Sequence, residues 1–253
     1  MTALEWLSPS ACNTFLQCPL KLKYERIDRL PQPPNINFTK GNFVHEILEN
    51  LMKLDPEERT LPKAKEFARK FWDQQYGAEA QSLAIGADEI KRLQWDAWWC
   101  VDNYFNLEEP AEVKPFEMER WVSGLVGGAK IRGKIDRIDE AKDGLELVDY
   151  KTGKTPKKAE WGQDAIFQLN VYGILLASEV GIDDEVSKLV LLYLGDGNKR
   201  EYDFTEEGQE SAAKTVASVR KGIDEREASG EWEPRPSKLC DWCAFKDRCP
   251  AWT

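Results

Sequence analysis

Phe43, Val44, Ile47, Leu48, Leu51 and Leu54 fall at the three- and four-residue intervals of one helix face, so GNFVHEILENLMKL is predicted to be an amphipathic helix. A shorter helix is expected after Ser8-Pro9, with a basic continuation that ends where Pro31, Pro33 and Pro34 break the chain. Two more helices are predicted, near Leu61 to Tyr76 and Ser82 to Leu107. Their aromatic residues Trp72, Trp95, Trp98 and Trp99 are expected in a core. The period then changes. EMERWVSGLVGGAKIRGKIDRIDE alternates and turns at Gly127-Gly128, and LELVDYKTG continues the same sheet. A helix follows in DAIFQLNVYGILLASEVG, then a hairpin from EVSKLVLLYLG to KREYDF around the turn Gly195 to Asn198. A polar helix from about Thr205 to Ala228 leads into a Cys-rich tail. Helices, strands, a crossover helix and more strands imply a mixed α/β core with helices on both sides of the sheet.

One strand breaks its own pattern. In LELVDYKTGK, Leu145, Leu147, Val148 and Tyr150 suit a sheet, yet Asp149 and Lys151 interrupt the run. Side chains two apart on a strand point the same way, so the acid and the amine share a face. In KIRGKIDRID the residues Arg132, Lys134 and Asp136 share a face, opposite Ile131, Gly133 and Ile135. If these segments close an antiparallel hairpin, Asp136 falls opposite residue 148 or 149, and cross-strand neighbours stand about 5 Å apart. Asp136, Asp149 and Lys151 then converge. Two close carboxylates repel, and a bound divalent cation relieves that repulsion.

These residues resemble the PD-(D/E)xK signature, in the form GKIDRID…VDYKTG that is similar to RecB-family exonucleases. The resemblance implies a restriction-endonuclease-like mixed β-sheet core flanked by helices. It also implies that Asp136 and Asp149 bind Mg²⁺ or Mn²⁺, with help from the Tyr150 backbone, while Lys151 assists the attacking water. GNFVHEILE looks like the family's upstream helix, whose histidine is a metal ligand; His45 is the one histidine in the chain. FQLNVYG looks like the family's Gln-x-x-x-Tyr motif, which assigns Gln168 and Tyr172 to contact DNA or orient the catalytic lysine. Glu119, on the preceding strand, is a candidate outer-shell acid.

Six cysteines are present, and their uneven clustering favours metal binding over disulfides. Cys240, Cys243 and Cys249 form a C-x2-C-x5-C run, with Cys18 far upstream. One early cysteine with three at the C-terminus resembles the iron–sulfur nucleases of the RecB and CRISPR-associated exonuclease group, where four such thiolates hold a [4Fe–4S] cluster. Zn²⁺ on the same thiolates is the alternative. Cys12 and Cys100 are expected to be ordinary buried thiols. The implied organisation is an iron–sulfur module of residues 1–30 and 230–253 joining the two termini, and a nuclease core over 31–229 with a helical insertion near 55–112. The short tail carries few apolar residues, so its attachment is expected to come mainly from metal–thiolate bonds.

At 253 residues the chain suits one large domain or one domain with an accessory module. A net charge of −10 argues against a protein that coats nucleic acid indiscriminately. Ala129 to Lys158 nevertheless holds nine Lys or Arg against six Asp or Glu, a basic stretch that suits a phosphate backbone. Lys21, Lys23 and Arg26 are further candidates for a DNA path. No apolar run reaches the roughly 20 residues of a membrane helix and no secretory pattern opens the chain, so a cytoplasmic protein is expected. The reading is a metal-dependent DNA exonuclease acting on single-stranded ends in recombination, repair or processing, with a helicase or recombination protein as partner. A structure-selective endonuclease on the same core and a non-catalytic DNA-binding adaptor are the alternatives.

Overall fold

The computed structural model describes residues 4–33, 35–83, 85–158, 162–179 and 185–252. Its helices are α1 (Pro9–Gln17), α2 (Pro19–Leu22), α3 (Ile36–Met52), α4 (Leu61–Phe71), α5 (Gly77–Ser82), α6 (Ala87–Leu107), α7 (Gln163–Ala177) and α8 (Glu206–Ser229). Its strands are β1 (Trp6–Leu7), β2 (Pro115–Val126), β3 (Ala129–Ala141), β4 (Gly144–Lys151), β5 (Val186–Tyr193) and β6 (Asn198–Asp203). The helices begin where capping chemistry predicts. Ser8, Asn35, Thr60 and Thr205 each accept a backbone N–H of the first turn, and Pro9 occupies the first position of α1, where no N–H is needed. The predicted helix from Ser82 to Leu107 differs in its start, because the chain leaves α5 at Ser82 and helix resumes at Ala87 behind Gly86.

The mixed sheet runs β1-β3-β4-β5-β6, and β2 lies on the other edge of β3. β2 and β3 are joined by Gly127 and Gly128 alone, with φ of 55° and 79°. A two-residue hairpin that follows the strand twist needs positive φ at both central residues, which is why two glycines sit there. β4 and β5 are parallel and are connected over the sheet by α7, as parallel neighbours require.

β4 and β1 share one edge of β3 at different heights. β1 pairs with Lys130 and Ile131, whereas the β3–β4 ladder begins at Arg137 opposite Val148. Between them the edge of β3 is forked open. One core layer lies under α1, α7 and α8 and holds Ile131, Ile135, Leu145, Leu147, Leu189 and Leu191. The other lies under α3, α4 and α6 and holds Val148, Tyr150, Val190 and Leu192. Odd-numbered residues of β4 therefore face α7 and even-numbered ones face α3. No helix among the described residues is long and apolar enough to cross a membrane.

The tryptophans of the helical region correct an expectation. Trp72 and Trp98 pack against the second core, but Trp95 and Trp99 are 71% and 58% exposed. The buried stripe of α6 is Leu93, Ala97, Cys100, Val101 and Tyr104, at spacings of three and four. Trp95 and Trp99 stand on the opposite side of the helix.

The hairpin supplies a test of the fold. A Cβ on Gly127 would meet the Ala213 carbonyl of α8 at 2.2 Å, whereas one on Gly128 meets nothing within 4 Å. Gly128→Ala is expected to cost about 1 kcal/mol from backbone strain alone, and Gly127→Ala at least about 2 kcal/mol more than that. Urea midpoints check the order, and equal losses at the two positions would contradict this packing.

Candidate active site

The open fork between β3 and β4 collects the acids. Continuing the ladder past Arg137–Val148 sets Asp136 across from Asp149. The strands separate there, and the Tyr150 backbone N–H donates to Asp136 Oδ2 at 2.9 Å. Asp136 Oδ1 lies 3.5 Å from His45 Nδ1, and His45 Nε2 reaches the Tyr150 carbonyl at 2.8 Å. The imidazole also meets the Tyr150 ring edge-on, with centroids 5.8 Å apart. α3 thus delivers His45 from one side of the sheet onto the backbone of the strand that carries Asp149 and Lys151.

Glu119 enters from the third side. Met118 pairs with Arg137 and Arg120 with Ile135, so Glu119 lies across from Asp136 on β2. Its φ is +52°, the left-handed region that a residue with a Cβ enters only under strain. That kink turns the carboxylate toward the fork. His45, Glu119 and Asp136 each offer one atom, and these atoms lie within 4.8 Å of one another. It is the one such group among the described residues. Nothing in the alternating pattern of β2 signals the kink, which is why sequence reasoning ranked Glu119 low.

Asp149 and Lys151 form a second pair beside this group, on the α7 side. Lys151 Nζ is 2.8 Å and 3.1 Å from the two Asp149 oxygens. Gln168 spans both, donating to Asp149 Oδ1 at 3.0 Å and accepting from Lys151 at 3.4 Å. Tyr172, one turn later on α7, lies over the backbone of Gly133, where a Cβ would meet its ring at 2.4 Å. His45, Asp136, Asp149, Lys151 and Gln168 border the fork in two sets, and Tyr172 lies over Gly133 on β3. Asp149 stands with Lys151 and Gln168, outside the three-residue group.

The charges are mutually adjusted. Burial works against ionised Asp136, but His45, the Tyr150 N–H and Lys151 outweigh it and hold the carboxyl below its usual range. Burial likewise opposes a charged His45, yet Asp136 and Asp149 push its pKa up to about 9. For Asp149 burial prevails over Lys151 and raises the carboxyl. Burial also raises Glu119, against the opposing pull of Lys134, which contacts it. Two acids beside one imidazole, with Asp149 next to them, fit a divalent cation, which neutralises the acids' repulsion and takes nitrogen and oxygen ligands together.

Residues 6–250 match the PD-(D/E)XK nuclease superfamily. The chain belongs to that superfamily. Two curated relatives are the Gene 69 proteins of Mycobacterium phages L5 and D29, each 24% identical over 98% and 96% of this chain and 97% and 96% of their own lengths. Among solved structures, a "Putative exonuclease" from Eubacterium rectale superposes with a TM-score of 0.61 at 17% identity, covering 94% of this chain and 87% of that one. That likeness shows the fold. Superfamily membership makes the chain a nuclease, and nucleases of that superfamily work with divalent metals.

Behind the site lies a network that sequence reasoning missed. Arg137 is fully buried. Its guanidinium reaches Asp139 at 2.8 Å, Glu108 at 2.9 Å, Tyr150 Oη at 2.6 Å and Tyr104 Oη at 3.2 Å. In a strand with basic residues at 130, 132 and 134 it reads as one more exposed cation. The face switches at Asp136, however, since Ile135 and Arg137 lie on opposite core layers.

The thiols divide as well. Cys12 and Cys100 are buried, and burial pushes them up to about 12 and about 11. Cys18, Cys240, Cys243 and Cys249 line one cavity of about 50 Å³, although no three of their sulfurs lie within 4.8 Å among the described residues. Backbone N–H groups of Arg235 and Ser237 point at Cys18 and Cys240, each at 3.4 Å. The tail also has an apolar anchor, contrary to expectation. Phe245 is buried and meets Tyr24 edge-on at 5.4 Å. Of the basic residues near Cys18, Lys21 pairs with Glu25 at 3.7 Å and Lys23 with Asp28 at 2.6 Å.

Two outcomes follow from these burials. Arg137→Ala leaves Glu108 and Asp139 without their counter-charge and is expected to lower stability by about 3–5 kcal/mol. A loss below about 1 kcal/mol in urea unfolding would contradict the network. At pH 8 in native, metal-stripped protein, iodoacetamide should modify Cys18, Cys240, Cys243 and Cys249 and spare Cys12 and Cys100 until denaturant is added. Mass spectrometry of the peptides reads the pattern.

Proposed function

We propose that the chain is a metal-dependent deoxyribonuclease that degrades DNA from single-stranded ends, in recombination, repair or end processing. The observation that carries this reading is the meeting of His45, Glu119 and Asp136 at one point, with Asp149 and Lys151 on the neighbouring strand. A binding adaptor has no use for two acids and an imidazole at one point with an acid–lysine pair on the neighbouring strand. His45, Asp136, Asp149 and the Tyr150 carbonyl would hold Mg²⁺ or Mn²⁺, with Glu119 joining them directly or through water. Bound there, such an ion would supply an acidified water and neutralise charge on the phosphate. Lys151 donates to the attacking water or to the developing phosphorane oxygen. Gln168 keeps Lys151 and Asp149 in register with each other. Tyr172, by covering Gly133, fixes the position of α7 over the fork.

The tail cysteines are assigned to a [4Fe–4S] cluster with Cys18, Cys240, Cys243 and Cys249 as ligands. Supporting this are the single cavity the four share and the backbone N–H groups aimed at two of the sulfurs, contacts that favour thiolate charge. The cluster would tie α1 to the C-terminal tail, together with the Phe245 anchor. Residues 1–30 and 230–253 then act as one module attached to the core.

Asp136→Ala, Asp149→Ala and Lys151→Ala are each expected to lower turnover on end-labelled single strands by roughly 10²-fold or more while the protein stays folded, with a lower melting temperature because each leaves a buried partner unpaired. Near-normal turnover in Mn²⁺-saturated Asp149→Ala would sink the assignment. Activity with Mn²⁺ should equal or exceed that with Mg²⁺, since an imidazole ligand suits the softer ion, and His45→Ala should remove the difference. Anaerobically prepared protein is expected to be brown, with about four iron and matching sulfide per chain. Cys18→Ser should bleach it and Cys12→Ser should not; one zinc without sulfide would replace the cluster by a structural zinc clip.

A further inference from the structure

Trp99 is exposed on α6, although tryptophan is a residue that folded chains usually tuck away. It lines a cleft of about 500 Å³ together with Lys40, Asp96, Thr152, Gly153 and Lys154. Three of these residues directly follow Lys151, so the cleft opens where the catalytic strand ends. α6 is fastened there by Cys100, whose thiol points at the Thr152 carbonyl at 3.6 Å. That stretch of α6 therefore stands at a fixed place beside the end of β4. The cleft carries two lysines against one aspartate, a local excess of positive charge in a chain of net charge −10.

Two further rings are exposed on α3 and α6. Phe38 is 69% exposed and precedes His45 by seven residues on α3, which puts it on the His45 face two turns earlier. Trp95, four residues before Trp99 on α6, is 71% exposed. It borders a second cleft that holds Lys65 and Arg69. Exposed flat rings with lysine and arginine beside them match the chemistry of single-stranded nucleic acid, whose bases stack while its phosphates meet cations. A double helix keeps its base faces stacked except at its ends.

We infer that Trp99 is a base-stacking platform for the single strand that enters or leaves the fork, with Lys40 and Lys154 holding its phosphates. This rests on the nuclease reading above and adds to it a residue that holds the single strand. The platform binds any base, because every base has a π face, and contributes affinity and not chemistry.

The test uses the full chain in EDTA, which prevents cleavage, with fluorescein-labelled oligothymidylate of roughly 12 nucleotides, within the site sizes of single-strand binders. An abasic oligomer of the same length is the control. Trp99→Ala is expected to weaken oligothymidylate binding by roughly 5- to 100-fold, the range of one lost stack, and to leave the abasic oligomer unchanged. Trp99→Phe should restore most of the loss. With Mn²⁺ present, the Ala variant should show a raised KM at unaltered kcat. Unchanged oligothymidylate binding in Trp99→Ala, or equal loss on both probes, would overturn the platform. No binding by the unsubstituted chain would overturn it too, and if that chain still cleaves DNA with Mn²⁺ the nuclease reading stands apart from it.

Discussion

A single hydrogen bond decides the geometry of the site: the Tyr150 N–H donates to the Asp136 carboxylate across the point where β4 parts from β3. A buried backbone N–H must find an acceptor, and in an ordinary hairpin it finds the next carbonyl of the ladder. Here the ladder stops at Val148, and a side chain takes over. The substitution keeps the strands close enough to bring Asp136 and Asp149 together, yet open enough for His45 and Glu119 to enter. Around it the Tyr150 carbonyl meets His45, and the Tyr150 ring rests on the Arg137 guanidinium. One residue therefore ties α3, the fork and the buried network to each other.

Such a fork concentrates negative charge where water is scarce, and the surroundings are arranged to tolerate it. Lys151 and Gln168 hold Asp149, His45 holds Asp136, and Lys134 meets Glu119. Arg137 neutralises Glu108 and Asp139 on the opposite side of the same strands. Buried ion pairs of this kind contribute little net stability but penalise every arrangement in which one partner is displaced. The network is therefore better understood as fixing a unique position for the site than as strengthening the fold. The kinked backbone of Glu119 belongs to the same pattern, since local strain persists only where neighbouring contacts overdetermine it.

Much of this was legible from the sequence because two periods do most of the folding. Alternation in β3 and β4 and helical spacing in α3 and α7 place Asp136, Asp149, Lys151, His45 and Gln168 on elements that the structure does contain. Twin glycines announce the β2–β3 turn. What stayed hidden arises where a period is interrupted. The change of face at Asp136 buries Arg137, and the left-handed turn at Glu119 redirects its carboxylate. Neither leaves a mark in residue type. The exposure of Trp95 and Trp99 was readable in principle, since Leu93, Ala97, Cys100, Val101 and Tyr104 already complete the buried stripe of α6. Residue identity suggested a core, and position on the helix overruled it.

The most direct measurement is anomalous diffraction from crystals soaked in Mn²⁺, because it locates the ion independently of any activity. A manganese peak within about 2–2.5 Å of His45 and Asp136, with Glu119 or Asp149 in the same sphere, is the expected result. A fully occupied soak with no peak in the fork, or with manganese only among the tail cysteines, would contradict the assignment of the fork as the metal site.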